Sequence, residues 1–366
     1  MEQHTTTTQA PISGDPSVRR QIAGTAFGVF RGWGYQEIEV PLLDHFDSLR
    51  AALDPAQIQR MFRFVDRQGH LLVLRADVTP AIARIFANQL SERPLPLRLC
   101  YAHKVVRIER SFTQEKLERY QLGVELIGCA GIAPEVETLL IALETLTAID
   151  VGEFEVHLGS VAVVEHLLAK LGAAERVYSD IIQAIGERDP VEVGNLVADS
   201  ECPEPVAQAL RLLARMGPNP DAPTELRNLF PADGELHAIL AGVDELAEAL
   251  NALGFGGRLF VDLGQVNQQG YYTGTTFKIV SRRIGTEVGS GGRYDNLIGR
   301  FGKPCPAVGF CLHLESLMEL TGHAASSSDS EENRPTRVTV GRDLVANFSD
   351  MVKCRQDGSS AVVDYE

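Results

Sequence analysis

The chain has 366 residues, and its 34 lysines and arginines against 49 aspartates and glutamates give a formal charge of −15, which disfavours a dedicated nucleic-acid binder. Its six cysteines show no C-x-x-C spacing, so neither a zinc site nor a disulfide framework is signalled. No secretory signal and no run of about 18 apolar residues occurs, which predicts a cytoplasmic protein with reduced thiols and no membrane contact.

The first predicted element is a helix that begins near Ser17, after a polar, Thr-rich N-terminus (1–16) that we expect to be disordered. Apolar residues recur there at three- and four-residue spacing, and Gly32 and Gly34 follow as stop signals. The alternation from Tyr35 to Val40 then predicts a short strand that Pro41 ends.

The next elements are a predicted hairpin that turns at Gln68 and Gly69 and a helix with Pro80 in its first turn. Thr79 is predicted to be the N-cap of that helix, because its hydroxyl can accept from a free backbone amide. Two apolar strands follow, within 97–127, and a charged connection separates them.

Beyond about residue 158 the composition changes to helix formers, and this change predicts a helical insertion over 158–254. Strand patterns with Gly-rich turns return after it, and a polar linker (321–336) leads to a small C-terminal segment (337–366) with room for one β-α-β unit. We therefore predict an α+β fold: a mixed, mainly antiparallel sheet flanked by helices, formed by 17–157 and 255–320 and interrupted by the helical insertion.

Two blocks carry the strongest resemblance to a known family: GYYTGTTF (270–277) and SGGRYDNL (290–297). They resemble the histidine-binding half of the histidyl-tRNA synthetases, which are class II aminoacyl-tRNA synthetases. The resemblance implies that fold, a dimer interface at the N-terminal helix and strand, and an ATP-covering loop between the two apolar strands. The last ~30 residues are too few for the anticodon-binding domain of such an enzyme.

Several residues are candidates for binding a free amino acid, which needs acids for its ammonium and polar groups for its side chain. Asp77 and Thr79 lie two residues apart, and Gln121 and Glu125 lie four apart on a predicted strand, so each pair shares a side. By resemblance these four contact the amino acid, Tyr272 and Tyr294 meet the imidazole, and Arg107 is the arginine of the second class II motif. Tyr271, beside Tyr272, is a further candidate for binding histidine. Each residue alone also has an ordinary structural interpretation, such as a cap, a strand-edge charge or a β former. Their shared order across the chain favours the pocket.

The arginines that such an enzyme needs for ATP are missing at two positions. Asn267 and Ser316 stand where the synthetases carry arginines, Gly270 replaces an acid, and Glu115 falls near an arginine of the ATP loop. Since one preorganised donor to the transition state is typically worth about a hundred- to a thousandfold in rate, these losses predict a site that binds an amino acid without activating it.

This combination resembles the regulatory subunits of ATP phosphoribosyltransferase, non-catalytic relatives of the synthetases in histidine biosynthesis. The resemblance implies that the chain binds and activates a short-form catalytic subunit, forms a homodimer within a hetero-octamer, takes part in histidine feedback, and uses neither cofactor, metal nor tRNA. One alternative is a divergent or truncated histidine–tRNA ligase that retains adenylation through Arg107. Another is a stand-alone amino acid sensor with a different partner.

Overall fold

A computed structural model provides the structure of the chain. It describes the following residues: 16–50, 53, 55–108, 117–172, 175–198, 202–215, 217–266, 270–321, 336–339, 344–356 and 361–364. Most of the predicted disordered N-terminus and of the predicted linker lies outside these ranges, as do Glu115 and Asn267.

The main sheet has eight strands in the order β1-β5-β6-β11-β10-β9-β7-β8. Only β1–β5 and β7–β8 pair in parallel, and the other neighbours are antiparallel. This arrangement confirms the predicted mixed, mainly antiparallel sheet. The strands of the described chain are β1 (Gln36–Glu37), β2 (Leu43–His45), β3 (Arg63–Val65), β4 (Leu71–Leu74), β5 (Leu97–Val106), β6 (Glu118–Ile127), β7 (Glu155–Ser160), β8 (Leu259–Val261), β9 (Thr275–Ser281), β10 (Thr286–Arg293), β11 (Ala307–His313), β12 (Thr336–Thr339) and β13 (Ala361–Asp364).

Helices flank the sheet and fill the segment between β7 and β8. Short 3-10 or π turns lie at Phe86–Leu90, Asn251–Phe255, Gly256–Arg258 and Ile298–Phe301. The α-helices of the described chain are α1 (Pro16–Gly32), α2 (Phe46–Arg50), α3 (Pro55–Gln59), α4 (Val78–Ile85), α5 (Ala133–Ile149), α6 (Val161–Ala169), α7 (Glu175–Gly186), α8 (Pro190–Ala198), α9 (Glu204–Leu213), α10 (Ala222–Leu229), α11 (Gly234–Leu250), α12 (Leu314–Thr321) and α13 (Leu344–Gln356). No helix among the described residues is long and apolar enough to cross a membrane.

The central strand β6 separates two environments, because successive side chains of a strand point to opposite faces. Leu122, Val124 and Leu126 face the main hydrophobic core, where α1, α5 and α12 cover the sheet. The intervening residues Gln121 and Glu125 are also buried, but they face the other side of the sheet, where α4 packs. The alternation of side chains along β6 therefore buries Gln121 and Glu125 between the sheet and α4, in a region that we call the polar layer.

The predicted hairpin forms a separate three-stranded sheet in the order β2-β4-β3. Val73 of β4 is fully buried against a small cluster that includes Leu49 and Met61. The last strand, β4, runs directly into the start of α4, so this small sheet is attached to the polar layer beside β6.

The helices from α6 to α10 surround a second hydrophobic core, which α11 and Leu263 complete. Helix α11 contributes to both cores: Leu240 and Val243 belong to the second core, whereas Leu246 and Leu250 belong to the main core. The two packed regions therefore share one continuous helix.

At the C-terminal end, β12 and β13 pair in parallel and α13 connects them. Helix α13 packs on the end of α1, where its buried Phe348 contacts the ring of Trp33. Arg355 lies 4.1 Å from the centroid of the same ring and forms an ion pair with Glu144 of α5 at 2.7 Å.

One local prediction is confirmed over a shorter range, and another was wrong. The segment from Tyr35 to Val40 does contain a strand, but only Gln36 and Glu37 form it; at Val40 the backbone amide and carbonyl oxygen bind the side chains of His103 and Arg75 instead. Thr79 is not a cap: α4 begins at Val78 with Asp77 at the N-cap, and the Thr79 hydroxyl is directed to another partner.

Candidate functional site

The polar layer beside β6 collects side chains from four separate segments. Asp77 and Thr79 come from the start of α4, and Gln121 and Glu125 come from β6. Tyr271 and Tyr272 precede β9, and Tyr294 follows β10. Seven of the eight residues predicted from the sequence therefore lie in one cluster, although the segments are up to about two hundred residues apart.

Glu125 is the centre of this cluster and is only 1% exposed. Its carboxylate accepts a hydrogen bond from the Thr79 hydroxyl at 2.6 Å, a longer one from the Tyr101 hydroxyl at 3.4 Å, and one from the Tyr294 hydroxyl. Burial raises the pKa of Glu125 to about 8, while the hydroxyl donors of Thr79 and Tyr294 oppose that rise. The site thus holds a carboxyl group that can exchange a proton, or accept a cationic ligand group, near neutral pH.

Asp77 is the second acidic group of the cluster. Its carboxylate accepts a hydrogen bond from the Tyr271 hydroxyl at 2.9 Å. Asp77 was predicted to share a strand face with Thr79, but it instead occupies the N-cap of α4, one residue before the helix starts. The two residues still join one hydrogen-bonded cluster, because Asp77 accepts from Tyr271 and Thr79 donates to Glu125.

Gln121 binds the backbone rather than the carboxylates. Its side-chain oxygen accepts from the Val78 amide at 3.1 Å, and its nitrogen donates to the Cys311 sulfur at 3.7 Å. The Val78 amide is one of the free donors at the N-terminus of α4, so Gln121 ties β6 to that helix.

Three tyrosines form the aromatic side of the cluster. The ring of Tyr271 lies 4.8 Å from that of Tyr272 and 5.9 Å from that of Tyr294, between centroids. Burial raises the pKa of all three phenols well above its usual range. Their hydroxyls therefore stay protonated and can donate to a ligand or to the two carboxylates.

Small residues make room for Glu125. A Cβ at Gly309, which is the partner of Glu125 in the adjacent strand β11, would come within 1.9 Å of the carboxylate. The glycines of a second strand act in a similar way: Ser290 to Arg293 lie within β10, and the glycines between them allow close approach of neighbouring strands.

Arg107 lies apart from the hydroxyl cluster, in an adjoining cleft. The cleft lies between the small sheet, α2, α3 and α4, and Asp77, Arg60 and Arg75 line it together with Arg107. Backbone pairing to Met61 and Leu117 holds Arg107 at the end of β5. Asp77 borders both the cleft and the tyrosine cluster, so it joins the two parts of the site.

Sequence reasoning missed two residues that shape the site. Tyr101 of β5 lies across from Gly123 and reaches Glu125, and nothing in its local pattern separates it from an ordinary strand tyrosine. Arg75 is 5% exposed and donates to the carbonyl oxygens of Pro41 and Lys104, while its Nε has no hydrogen-bond partner among the residues that the structure describes. A charge at the end of the apolar run LLVLR was the signal that could have identified it.

Four positions carry residues that differ from those of the synthetases. The structure describes two of them, Ser316 and Gly270. Ser316 lies in the first turn of α12, where its hydroxyl donates to the carbonyl oxygen of Glu287 at 3.3 Å. A serine hydroxyl carries no fixed positive charge. Among the described residues, no group of three or more His, Cys, Asp or Glu side chains has an arrangement that could hold a metal ion.

The sequence of the chain was compared with family models and with known proteins. The family model for histidyl-tRNA synthetase matches residues 15–317. A protein of Moorella thermoacetica named ATP phosphoribosyltransferase regulatory subunit is 35% identical over 347 residues, which cover 95% of this chain and 88% of the relative.

Two solved structures share the fold. A Bacillus halodurans protein, titled as an ATP phosphoribosyltransferase regulatory subunit/histidyl-tRNA synthetase, has a TM-score of 0.75 and 27% identity, with 98% of this chain and 93% of that chain covered. A histidine–tRNA ligase subunit of Alicyclobacillus acidocaldarius has a TM-score of 0.71 at 24% identity over 84% of this chain and 95% of that chain. These structures confirm the predicted class II synthetase-like fold.

Proposed function

Because the chain belongs to the ATP phosphoribosyltransferase regulatory subunits, within the histidyl-tRNA synthetase family, we propose that it is a non-catalytic subunit that binds and activates a short-form ATP phosphoribosyltransferase. It acts in the cytoplasm, at the first step of histidine biosynthesis. The assembly is a hetero-octamer that contains homodimers of this chain, and it uses no cofactor and no tRNA.

One observation carries the proposal. The site has side chains suited to binding an amino acid, but Ser316 stands where an amino acid-activating enzyme would carry an arginine. Asp77 and Glu125 supply two carboxylates, and three tyrosines surround them. These groups suit the ammonium and imidazole of histidine. Activation of an amino acid places negative charge on phosphate, and charge-assisted hydrogen bonds from arginine would stabilise it. Ser316 offers only a hydroxyl at that position.

Histidine is the ligand that we propose for this pocket, with Asp77, Thr79, Gln121, Glu125, Tyr271, Tyr272 and Tyr294 around it and Arg107 in the adjoining cleft. A ligand regulates an assembly only if it binds two states of that assembly with different affinity. Feedback therefore requires that the affinity for histidine differ between the free chain and its complex with the catalytic subunit.

The first experiment is reconstitution with the short-form catalytic subunit of the same organism. We expect a complex on size-exclusion chromatography and a higher turnover rate of ATP and phosphoribosyl pyrophosphate than the catalytic subunit gives alone. Absence of a complex, or a complex without stimulation, would contradict the proposal.

The second experiment is calorimetric titration of the chain with histidine and, separately, with ATP and magnesium. We expect saturable binding of histidine, weakened at least about tenfold in Glu125→Ala, because the buried hydroxyls then lose their acceptor. Glu245→Ala, an exposed acid on α11, is the matched control and should bind like the wild type. Binding of ATP together with histidine-dependent pyrophosphate exchange would favour the ligase alternative instead.

A further inference from the structure

The two carboxyl groups of the candidate site lie in different surroundings. Asp77 is half-buried and borders the cleft, which arginine side chains also line. Glu125 is 1% exposed, and its partners are hydroxyl groups; no lysine, arginine or histidine side chain of the described residues forms an ion pair or a hydrogen bond with it. One acid therefore has solvent and positive charge nearby, whereas the other contacts neither.

Almost all the groups that face Glu125 are neutral. The titratable side chains around it, from the start of α4, from β5 and β11, and from the segments beside β9 and β10, are Asp77, Tyr101, Cys311, Tyr271, Tyr272 and Tyr294. Burial raises the pKa of the four phenols and of the Cys311 thiol, so these groups stay protonated. Asp77 is thus the one member of this set that can carry a charge at neutral pH.

These surroundings decide which of the two acids keeps its proton. A buried carboxylate without a cationic partner is unfavourable, and a second negative charge nearby makes it more so. Where two acids share a site but not the same surroundings, the acid in the drier position holds its proton. Burial raises the pKa of Glu125 to about 8, and the charge of Asp77 adds to that rise against the lowering effect of the hydroxyl donors. Glu125 is therefore a neutral carboxylic acid at pH 7, whereas Asp77 is the ionised one.

We propose that the site divides the polar ends of histidine between the two acids. The ionised Asp77 binds the ammonium, and Glu125, as a neutral carboxylic acid, donates its O–H to the imidazole nitrogen that carries no hydrogen. The identity of the ligand, histidine, rests on the proposed function. In this complex the ammonium of the ligand meets the one negative charge of the cluster, and the buried ring stays neutral against a neutral partner. The pocket therefore selects histidine with its imidazole unprotonated.

The affinity for histidine then depends on pH in two directions. Below the ordinary imidazole pKa of about 6.5, the free ligand carries a proton on both ring nitrogens and must release one before the ring can accept from Glu125. Above about pH 8, Glu125 of the free chain has lost its proton and must take one up. Affinity is highest between these two values and falls by up to about tenfold per pH unit outside them.

Calorimetric titration of the full chain with histidine at pH 5.5, 7 and 8.5 tests this dependence. Each titration is done in two buffers that differ in ionisation enthalpy, so that the number of protons exchanged is measured together with the affinity. We expect the highest affinity at pH 7, with affinities about threefold lower at pH 8.5 and about eightfold lower at pH 5.5. Binding should release about one proton at pH 5.5, take up about one at pH 8.5 and exchange few at pH 7.

Two variants separate the proton of Glu125 from other causes. In Glu125→Gln the amide keeps a donor for the ring but does not titrate, so binding should remain saturable while the loss of affinity and the proton uptake at pH 8.5 disappear. Tyr101→Phe removes a hydroxyl that donates to Glu125 at 3.4 Å and favours its charged form, so the alkaline loss should move to higher pH. Glu245→Gln, at an exposed position of α11, is the matched control and should keep the wild-type profile.

Three results would overturn the proposal. Affinity that falls steadily from pH 5.5 to 8.5, with proton uptake at pH 7, would show that an ionised Glu125 binds the imidazolium. Constant affinity from pH 7 to 8.5 without proton uptake would show that an ionised Glu125 binds the neutral ring. An unchanged alkaline loss in Glu125→Gln would assign the proton to another group. If the wild type binds no histidine at any of these pH values, the proposed ligand itself fails; if it binds with one of the other profiles, only the role of the Glu125 proton fails.

Discussion

Glu125 shows how one residue acquires its chemistry from three distant segments. Its donors are Thr79 at the start of α4, Tyr101 on β5 and Tyr294 after β10. In the unfolded chain these groups are separated and the carboxyl is hydrated. Folding removes the water and supplies only neutral hydroxyls, so the charged form is disfavoured relative to water and the pKa of Glu125 rises to about 8.

The pH dependence of stability follows from this shift. Between the ordinary pKa of 4.5 and about 8, the folded chain keeps the proton of Glu125 and the unfolded chain has released it. The unfolding free energy therefore falls as pH rises through this window, by at most about 1.4 kcal/mol per pH unit from this residue. Below pH 4.5 the contribution is complete, and above pH 8 it has been lost.

The Glu125→Gln variant tests this prediction, because an amide does not titrate. We expect its unfolding free energy, measured in urea at several pH values from 5 to 8, to fall less steeply with pH than that of the wild type. Glu245→Gln on α11 is the control and should keep the wild-type slope. Parallel curves for the wild type and Glu125→Gln would contradict the raised pKa.

At the scale of single elements, the C-terminal helix α13 owes its position to three side chains. Phe348 and Met351 are fully buried, and Arg355 binds Glu144 of α5 while it covers the ring of Trp33. The sequence pattern predicts a strand, a helix and a strand in this segment, but it contains no signal that the helix packs on the end of α1. That contact depends on side chains more than 300 residues apart.

Removal of the buried ring at Phe348 should release α13 from α1. We expect Phe348→Ala to shift the fluorescence emission of Trp33 to longer wavelength, since this is the single tryptophan of the chain and it is fully buried. A Phe-to-Ala change in a core typically costs about 3–5 kcal/mol, so the loss of this ring should weaken the packing of α13. Lys353→Ala, at an exposed position of the same helix, should leave the emission unchanged. An unshifted spectrum in Phe348→Ala would contradict the packing.

At the scale of the whole molecule, α11 links two hydrophobic cores. Leu240 lies in the core of the helical segment and Leu250 lies in the main core, so neither core can open fully without disturbing the same helix. We therefore expect the two cores to unfold together. The boundaries of the helical insertion, 158–254, remain a prediction from the sequence.

Leu210 on α9 provides the test, because it is fully buried in the second core alone. We expect Leu210→Ala to lower stability by about 2–5 kcal/mol. Calorimetry should show a single transition that moves as a whole to lower temperature. Val191→Ala, which shortens an exposed side chain on α8, should leave the transition in place. A separate early transition in Leu210→Ala would show that the helical segment unfolds independently.

The α+β class, the long helix α1, the strands β5 and β6 and the family resemblance could all be predicted from the sequence, because the hydrophobic period and the ordered motifs are local properties of the chain. The sequence also indicated the eight candidate residues, and the structure places seven of them, Glu125 included, in one cluster. Other features become visible only in the folded chain. Thr79 bonds to Glu125 instead of capping α4, Tyr101 and Gly309 lie beside that carboxylate, Arg107 lies in an adjoining cleft, and no core cluster of the described residues includes Leu43, Phe64 or Leu72. These features depend on which distant side chains meet when strands pair, and burial then sets the hydrogen-bond partners and pKa values that no short stretch of sequence encodes.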